Sequence, residues 1–153
     1  MKKLLLMSTS VLFALAVSCR SDDSSDNSDK MKLQGNWQPD KIVTTTTANG
    51  GSTTTTVVTD NCQKKGRITF TTDTSGKIKY YDNSNGTCTM LFDLPIEYTY
   101  NPDTKAFSIT TNGNKMDGAI TTLTNSNMVV YYVDKSNSSS INKIEISATK
   151  VAN

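Results

Sequence analysis

Ile96-Glu97-Tyr98-Thr99-Tyr100-Asn101-Pro102-Asp103-Thr104-Lys105-Ala106-Phe107-Ser108-Ile109 is the stretch whose reading decides the fold. Apolar residues at 96, 98 and 100 alternate with Glu97 and Thr99, the period of two that gives a strand one core face and one wet face. Asn101-Pro102-Asp103 then supplies turn residues, and the alternation resumes at Phe107 and Ile109. Strands joined by so short a connection are antiparallel neighbours.

The pattern recurs on both sides. Ile68 and Phe70, Ile78 and Tyr80, and Ile144, Ile146 and Ala148 alternate in the same way, while Met128-Val129-Val130-Tyr131-Tyr132-Val133 is apolar on both faces and reads as the most covered strand. Asn49-Gly50-Gly51, Asp73-Thr74-Ser75-Gly76, Asn83-Ser84-Asn85-Gly86, Asn112-Gly113-Asn114 and Asn125-Ser126-Asn127 mark the remaining turns. The expectation is an all-β domain, an antiparallel up-and-down meander of eight or nine strands whose edges vanish by closure into a barrel. An open sandwich is the competing architecture. Two threonine tracts, 44–47 and 53–56, flank Asn49-Gly50-Gly51 and read as a polar hairpin extending from the barrel. It is either a solvated hairpin or a surface of facing hydroxyls that binds carbohydrate.

Ahead of the domain, Lys2 and Lys3 precede an apolar run from Leu4 to Val17, and small Ser18 precedes Cys19. This is the order of a secretory signal, and the run, interrupted by Ser8, Thr9 and Ser10, is short for a membrane span. Ala16-Val17-Ser18-Cys19 resembles the lipobox of bacterial lipoproteins, so residues 1–18 are read as a signal peptide and Cys19 as a lipidated first residue, with a membrane as partner. Residues 19–30, rich in Ser and Asp, read as a disordered stalk before a single domain at 31–153. Asp22-Asp23 resembles the acidic patch that sends some Gram-negative lipoproteins to the cell surface. The expected location is the outer membrane, at the cell surface or, as second choice, facing the periplasm.

The chain holds 16 basic and 14 acidic residues, but Lys2 and Lys3 leave with the signal, which removes the excess. Such a balance argues against nucleic acid. There is no histidine, so no imidazole for a triad or the commonest zinc and copper site, and neither a calcium loop nor a phosphate-binding glycine loop is present. No cofactor or metal is expected. Asp82, Asp93, Glu97, Asp103 and Asp117 are the carboxylates a hydrolase would need, and none recurs at a telling spacing. With Cys19 acylated, an exported chain keeps Cys62 and Cys88, which predicts one disulfide.

Leu33-Gln34-Gly35-Asn36-Trp37 resembles the Gly-x-Trp fingerprint at the start of lipocalins. The rest of the chain resembles the compact lipocalin-like domain of bacterial lipoproteins: Cys62 before Arg67-Ile68-Thr69-Phe70, a turn with Gly76, Cys88, and a last strand ending in a basic residue. The Thr-Asp-Tyr motif of the wider family is not evident, which favours the lipoprotein group. The resemblance implies a tryptophan plug at one barrel end, made of Gly35 and Trp37 with Lys150 over the ring. The inward residues Ile68, Phe70, Tyr80, Tyr98, Phe107, Ile109, Met128, Val130 and Tyr132 either fill the barrel or line a pocket. Short strands and the lack of a glycine-rich inward face weigh toward filling. Phe70, Tyr80, Tyr98, Phe107, Met128 and Tyr132 are the candidate ligand-lining residues. The expected function is a non-catalytic lipoprotein that binds a small apolar or amphipathic ligand. The alternative is a surface-tethered protein- or glycan-interaction module with a filled barrel.

Overall fold

The computed structural model describes residues 24–135 and 139–152, with side chains from residue 28. The signal peptide, Cys19 and the start of the stalk lie outside the described residues. The elements are α1 (Ser24–Leu33), β1 (Gly35–Ala48), β2 (Gly51–Val58), a 3₁₀ turn (Gln63–Lys65), β3 (Arg67–Phe70), β4 (Ser75–Asp82), β5 (Thr89–Tyr100), β6 (Ala106–Thr111), β7 (Asn114–Leu123), β8 (Asn127–Asp134) and β9 (Ile141–Val151).

Every neighbouring pair is antiparallel, and β1 pairs with β9 from Asn36↔Val151 to Thr47↔Ile141, which closes the sheet. The meander is thus a barrel and not an open sandwich. Eight strands make the wall and β2 is extra. The other edge of β1 is shared, its start pairing with β3 (Trp37↔Ile68) and its later part with β2 (Lys41↔Val58 to Ala48↔Gly51). A bulge between Pro39 and Lys41 lets β1 bend at the point where β2 takes over. All eight β2 residues are exposed, and β2 pairs with β1 alone among the described residues. Asn49 (φ 50°) and Gly50 (φ 76°) give the β1–β2 hairpin its two-residue turn, and Asn112 (φ 48°) and Gly113 (φ 79°) do the same for β6–β7.

This corrects the reading of the first threonine tract. Thr44–Thr47 are not an excursion from the barrel: they pair with β9 as wall residues, because β1 is long enough to serve two partners. Only the second tract, on β2, stands free.

One end of the barrel is solid. Trp37 is fully buried and its Nε1 donates to the Leu33 carbonyl at 2.7 Å. Phe70 meets the ring edges of Tyr98 (4.7 Å between centroids, 71°) and Phe107 (6.1 Å, 88°), with Leu33, Ile120, Met128 and Ala148 completing the core. Such edge-to-face pairs add to the area buried.

The expected disordered stalk is helical over 24–30, as the first part of α1. Its composition is a poor helix former, and tertiary docking overrides it. Leu33 at the C-terminal end is buried under the barrel, the Lys32 carbonyl accepts Lys150 Nζ at 2.8 Å, and Asp29 pairs with Lys32 at 2.7 Å. Among the described residues no helix is long and apolar enough to cross a membrane.

Candidate ligand-binding site

The end of the barrel opposite Trp37 is hollow. A cavity of about 390 Å³ opens there, walled by inward residues from β1 and from β3 through β9. The expectation of a filled barrel is therefore corrected. The inward residues are apolar but branched or flat, and Ile42, Ile78, Leu94, Ile144 and Ile146 stand back against the wall and leave the axis empty. Phe70 and Phe107 reach the cavity from the side of the plug, and Ile68, Ile96, Ile109, Met116 and Val130 continue the wall upward. Toward the mouth, Tyr80 stacks on Phe92 (5.4 Å, 22°), and Thr44 and Tyr132 flank Ile144 on three adjoining strands.

Four of the six candidate ligand-lining residues, Phe70, Tyr80, Phe107 and Tyr132, face the cavity, whereas Tyr98 and Met128 do not. Tyr98 points toward the plug end, where its hydroxyl donates to the Thr72 carbonyl in the β3–β4 turn. Burial pushes its hydroxyl up to about 12, with Asp73 adding to the effect. Met128 is fully buried at the level of Ala148, below Val130. Alternation told which face these two residues occupy but not at what depth. Phe92 and Leu94 were missed, although they continue the parity of Ile96, Tyr98 and Tyr100 back along β5. The alternation itself could have found them. Thr44 and Thr111 were missed because a hydroxyl carries no apolar signal.

At the plug, Lys150 Nζ lies 5.3 Å from the centre of the Trp37 ring, the position the sequence resemblance assigned to it. Burial lowers the Lys150 ammonium from its ordinary value, yet the Lys32 carbonyl and the ring face both favour the charge. Gly35 has φ +123° and passes under this side chain: a Cβ there would lie 2.8 Å from Lys150 Cε.

Cys62 and Cys88 form the expected disulfide, with 5.5 Å between Cα atoms. It joins the loop after β2 to the loop before β5 at the open end. Asp60 reinforces the junction, accepting from the amides of Cys62 and Gln63 (2.8 Å each) and from Asn83 Nδ2 at 2.6 Å. β2 does not pair with β4, so the crosslink spans a part of the wall where ladder hydrogen bonds are missing.

None of Asp82, Asp93, Glu97, Asp103 and Asp117 lines the cavity. Asp93 contacts Lys77 and Lys79 at 3.0 and 3.5 Å, and Asp117 contacts Lys115 at 3.2 Å. Among the described residues no cluster of three or more cysteine or acidic side chains is placed to hold a metal ion.

A closed antiparallel barrel, plugged by tryptophan at one end and hollow at the other, is the calyx architecture. The chain belongs to the lipocalin-like domain family, whose family model matches residues 33–130. No curated protein matches the chain. Among solved structures it is similar to the bovine lipocalin allergen Bos d 2 (TM-score 0.50, 15% identity, covering 82% of this chain and 77% of that one). It is also similar to lobster apocrustacyanin A1 (TM-score 0.50, 13% identity, covering 83% of this chain and 65% of that one). At such identities the likeness is one of fold.

Proposed function

We propose that this domain carries a small apolar or amphipathic molecule in its calyx, without catalysis, while Cys19 tethers it by acyl chains to the outer membrane at the cell surface. The cavity of about 390 Å³ carries the reading, since small-molecule sites span about 300–1,000 Å³ and are mostly apolar. Membership of the lipocalin-like family supports it. Because α1 enters at the plug end, a tether at Cys19 attaches to that end and leaves the mouth on the far side. Native mass spectrometry of delipidated protein against a broad lipid panel tests the carrier role. A bound adduct is expected, and its loss in Val130→Trp, which fills the cavity, with folding intact; no adduct from any lipid overturns the reading. The tether is tested by labelling cells with a clickable fatty acid: label should enter the wild type and not Cys19→Ser.

One observation favours a second reading as an interaction module: β2 offers an uncharged, fully exposed strand whose outer edge is unpaired among the described residues. Removing both threonine tracts would damage the wall, so the test is Thr54→Pro. Partner capture that survives this change counts against the edge as a docking strand.

A further inference from the structure

Among the described residues the wall of the calyx carries no charge. From plug to mouth the lining is hydrocarbon, aromatic or methionine, apart from the hydroxyls of Thr44, Tyr80, Thr111 and Tyr132. Lys115, Asp117, Asp134 and Lys135, two of each sign, line an adjoining depression that shares Thr111 and Met116 with the calyx wall. An ionic head group drawn into the cavity would lose its water and find no charged side chain among the lining residues to pair with.

Among the described residues Thr111 donates to the Pro95 carbonyl and Tyr80 is stacked on Phe92, which leaves Thr44 and Tyr132 as the neighbouring wall hydroxyls placed to receive a head group. Tyr132 projects inward one strand from Thr44 across Ile144, and its hydroxyl has no hydrogen-bond partner among the described residues. Burial, and secondarily Asp134, raises its pKa, so at neutral pH it is a protonated donor that can also accept. The cavity of about 390 Å³ corresponds to roughly thirteen water molecules' share of liquid, room for a chain of about ten carbons.

We propose that the calyx selects an uncharged medium-chain molecule with a single hydrogen-bonding head, such as an alcohol held by Tyr132, and rejects carboxylates and ammonium ions of equal length. The proposal rests on the carrier reading above and adds the ligand's charge, size and anchor.

Displacement of the uncharged fluorophore N-phenyl-1-naphthylamine from the full chain, produced without acylation and delipidated, provides the test. The competitors are 1-decanol, decanoate, decylammonium and 1-chlorodecane. At neutral pH 1-decanol should displace the probe at a concentration at least about tenfold below either ion. Decanoate should gain as pH falls toward the ordinary carboxyl range of about 4.3, because the neutral acid binds, and decylammonium should not. Tyr132→Phe should weaken 1-decanol by about 3- to 10-fold, the range of one hydrogen bond, and leave 1-chlorodecane within about twofold. Retained binding of 1-chlorodecane shows that the variant is folded. Either ion matching 1-decanol at neutral pH overturns the selectivity, and an unchanged 1-decanol affinity in Tyr132→Phe overturns the anchor. Failure of both the probe and 1-decanol to bind a natively folded chain, by near-UV circular dichroism, overturns the carrier reading and this inference together.

Discussion

Trp37 is held on three sides: by the barrel core, by the Leu33 carbonyl that accepts from its Nε1, and by Lys150 over its ring. Trp37→Phe keeps an aromatic plug but leaves that carbonyl unpaired and opens a small void. A loss of about 2–4 kcal/mol in denaturant unfolding is expected from the orphaned acceptor plus the cavity. Gly35 shows how two costs are weighed. The 2.8 Å approach to Lys150 Cε involves the far end of a flexible side chain, which can move away, whereas φ +123° strains any L residue. Gly35→Ala should therefore cost about 1–3 kcal/mol, the backbone term dominating. Shortening the neighbour in Gly35→Ala/Lys150→Ala should not restore the stability; a full rescue would assign the cost to the clash instead.

The β1–β2 hairpin makes the same kind of argument for an element. Its two-residue turn makes Ala48↔Gly51 a hydrogen-bonded pair, so Thr53 bonds to Thr46 while Thr54 directs its amide outward. The close hydroxyl contacts Thr45–Thr54 (3.2 Å) and Thr47–Ser52 (2.9 Å) fit the narrower, non-bonded pairs. Proline at 53 should then destabilise more than proline at 54 by about 1 kcal/mol, one backbone hydrogen bond, on thermal or denaturant unfolding. The disulfide acts on a second junction, linking Cys62 and Cys88, 26 residues apart in sequence, where β2 and β4 do not pair with each other. Reduction should lower stability by about 3–4 kcal/mol in the chain-entropy account. A midpoint unmoved by reductant would place the constraint elsewhere, in the Asp60 hydrogen bonds.

For the molecule as a whole, the absence of histidine and three desolvated tyrosines, Tyr98 and Tyr100 buried and Tyr132 half-buried, shape the response to pH. Desolvation raises the hydroxyls of Tyr98, Tyr100 and Tyr132, so between about pH 10 and 12 the folded chain keeps protons that the unfolded chain has released. Stability is then fully present below the unfolded value and falls as pH rises through that window. Unfolding midpoints measured from neutral pH upward should be level to about pH 9 and decline beyond pH 10, and Tyr98→Phe should soften the decline. A steep loss below pH 9 would contradict the assignment.

Strand identity was legible because alternation is local: Ile96, Tyr98 and Tyr100 declare a face without reference to the rest of the chain. The turns, the plug residues Gly35 and Trp37 and the Cys62–Cys88 pair could likewise be read from residue type and position. Depth along the barrel axis could not. It depends on strand tilt and on the register with which β1 meets β9, and these put Tyr98 and Met128 under the cavity while Thr44 joins its wall. The hollow was hidden for the same reason, since whether inward side chains meet across an axis depends on the barrel's diameter. Helix α1 forms because Leu33 and Lys32 dock against a plug built from residues up to 118 positions away, which no local propensity encodes. Periodicity and turn chemistry in the chain determined an antiparallel β meander; closure alone decided that it encloses a cavity and which side chains face it.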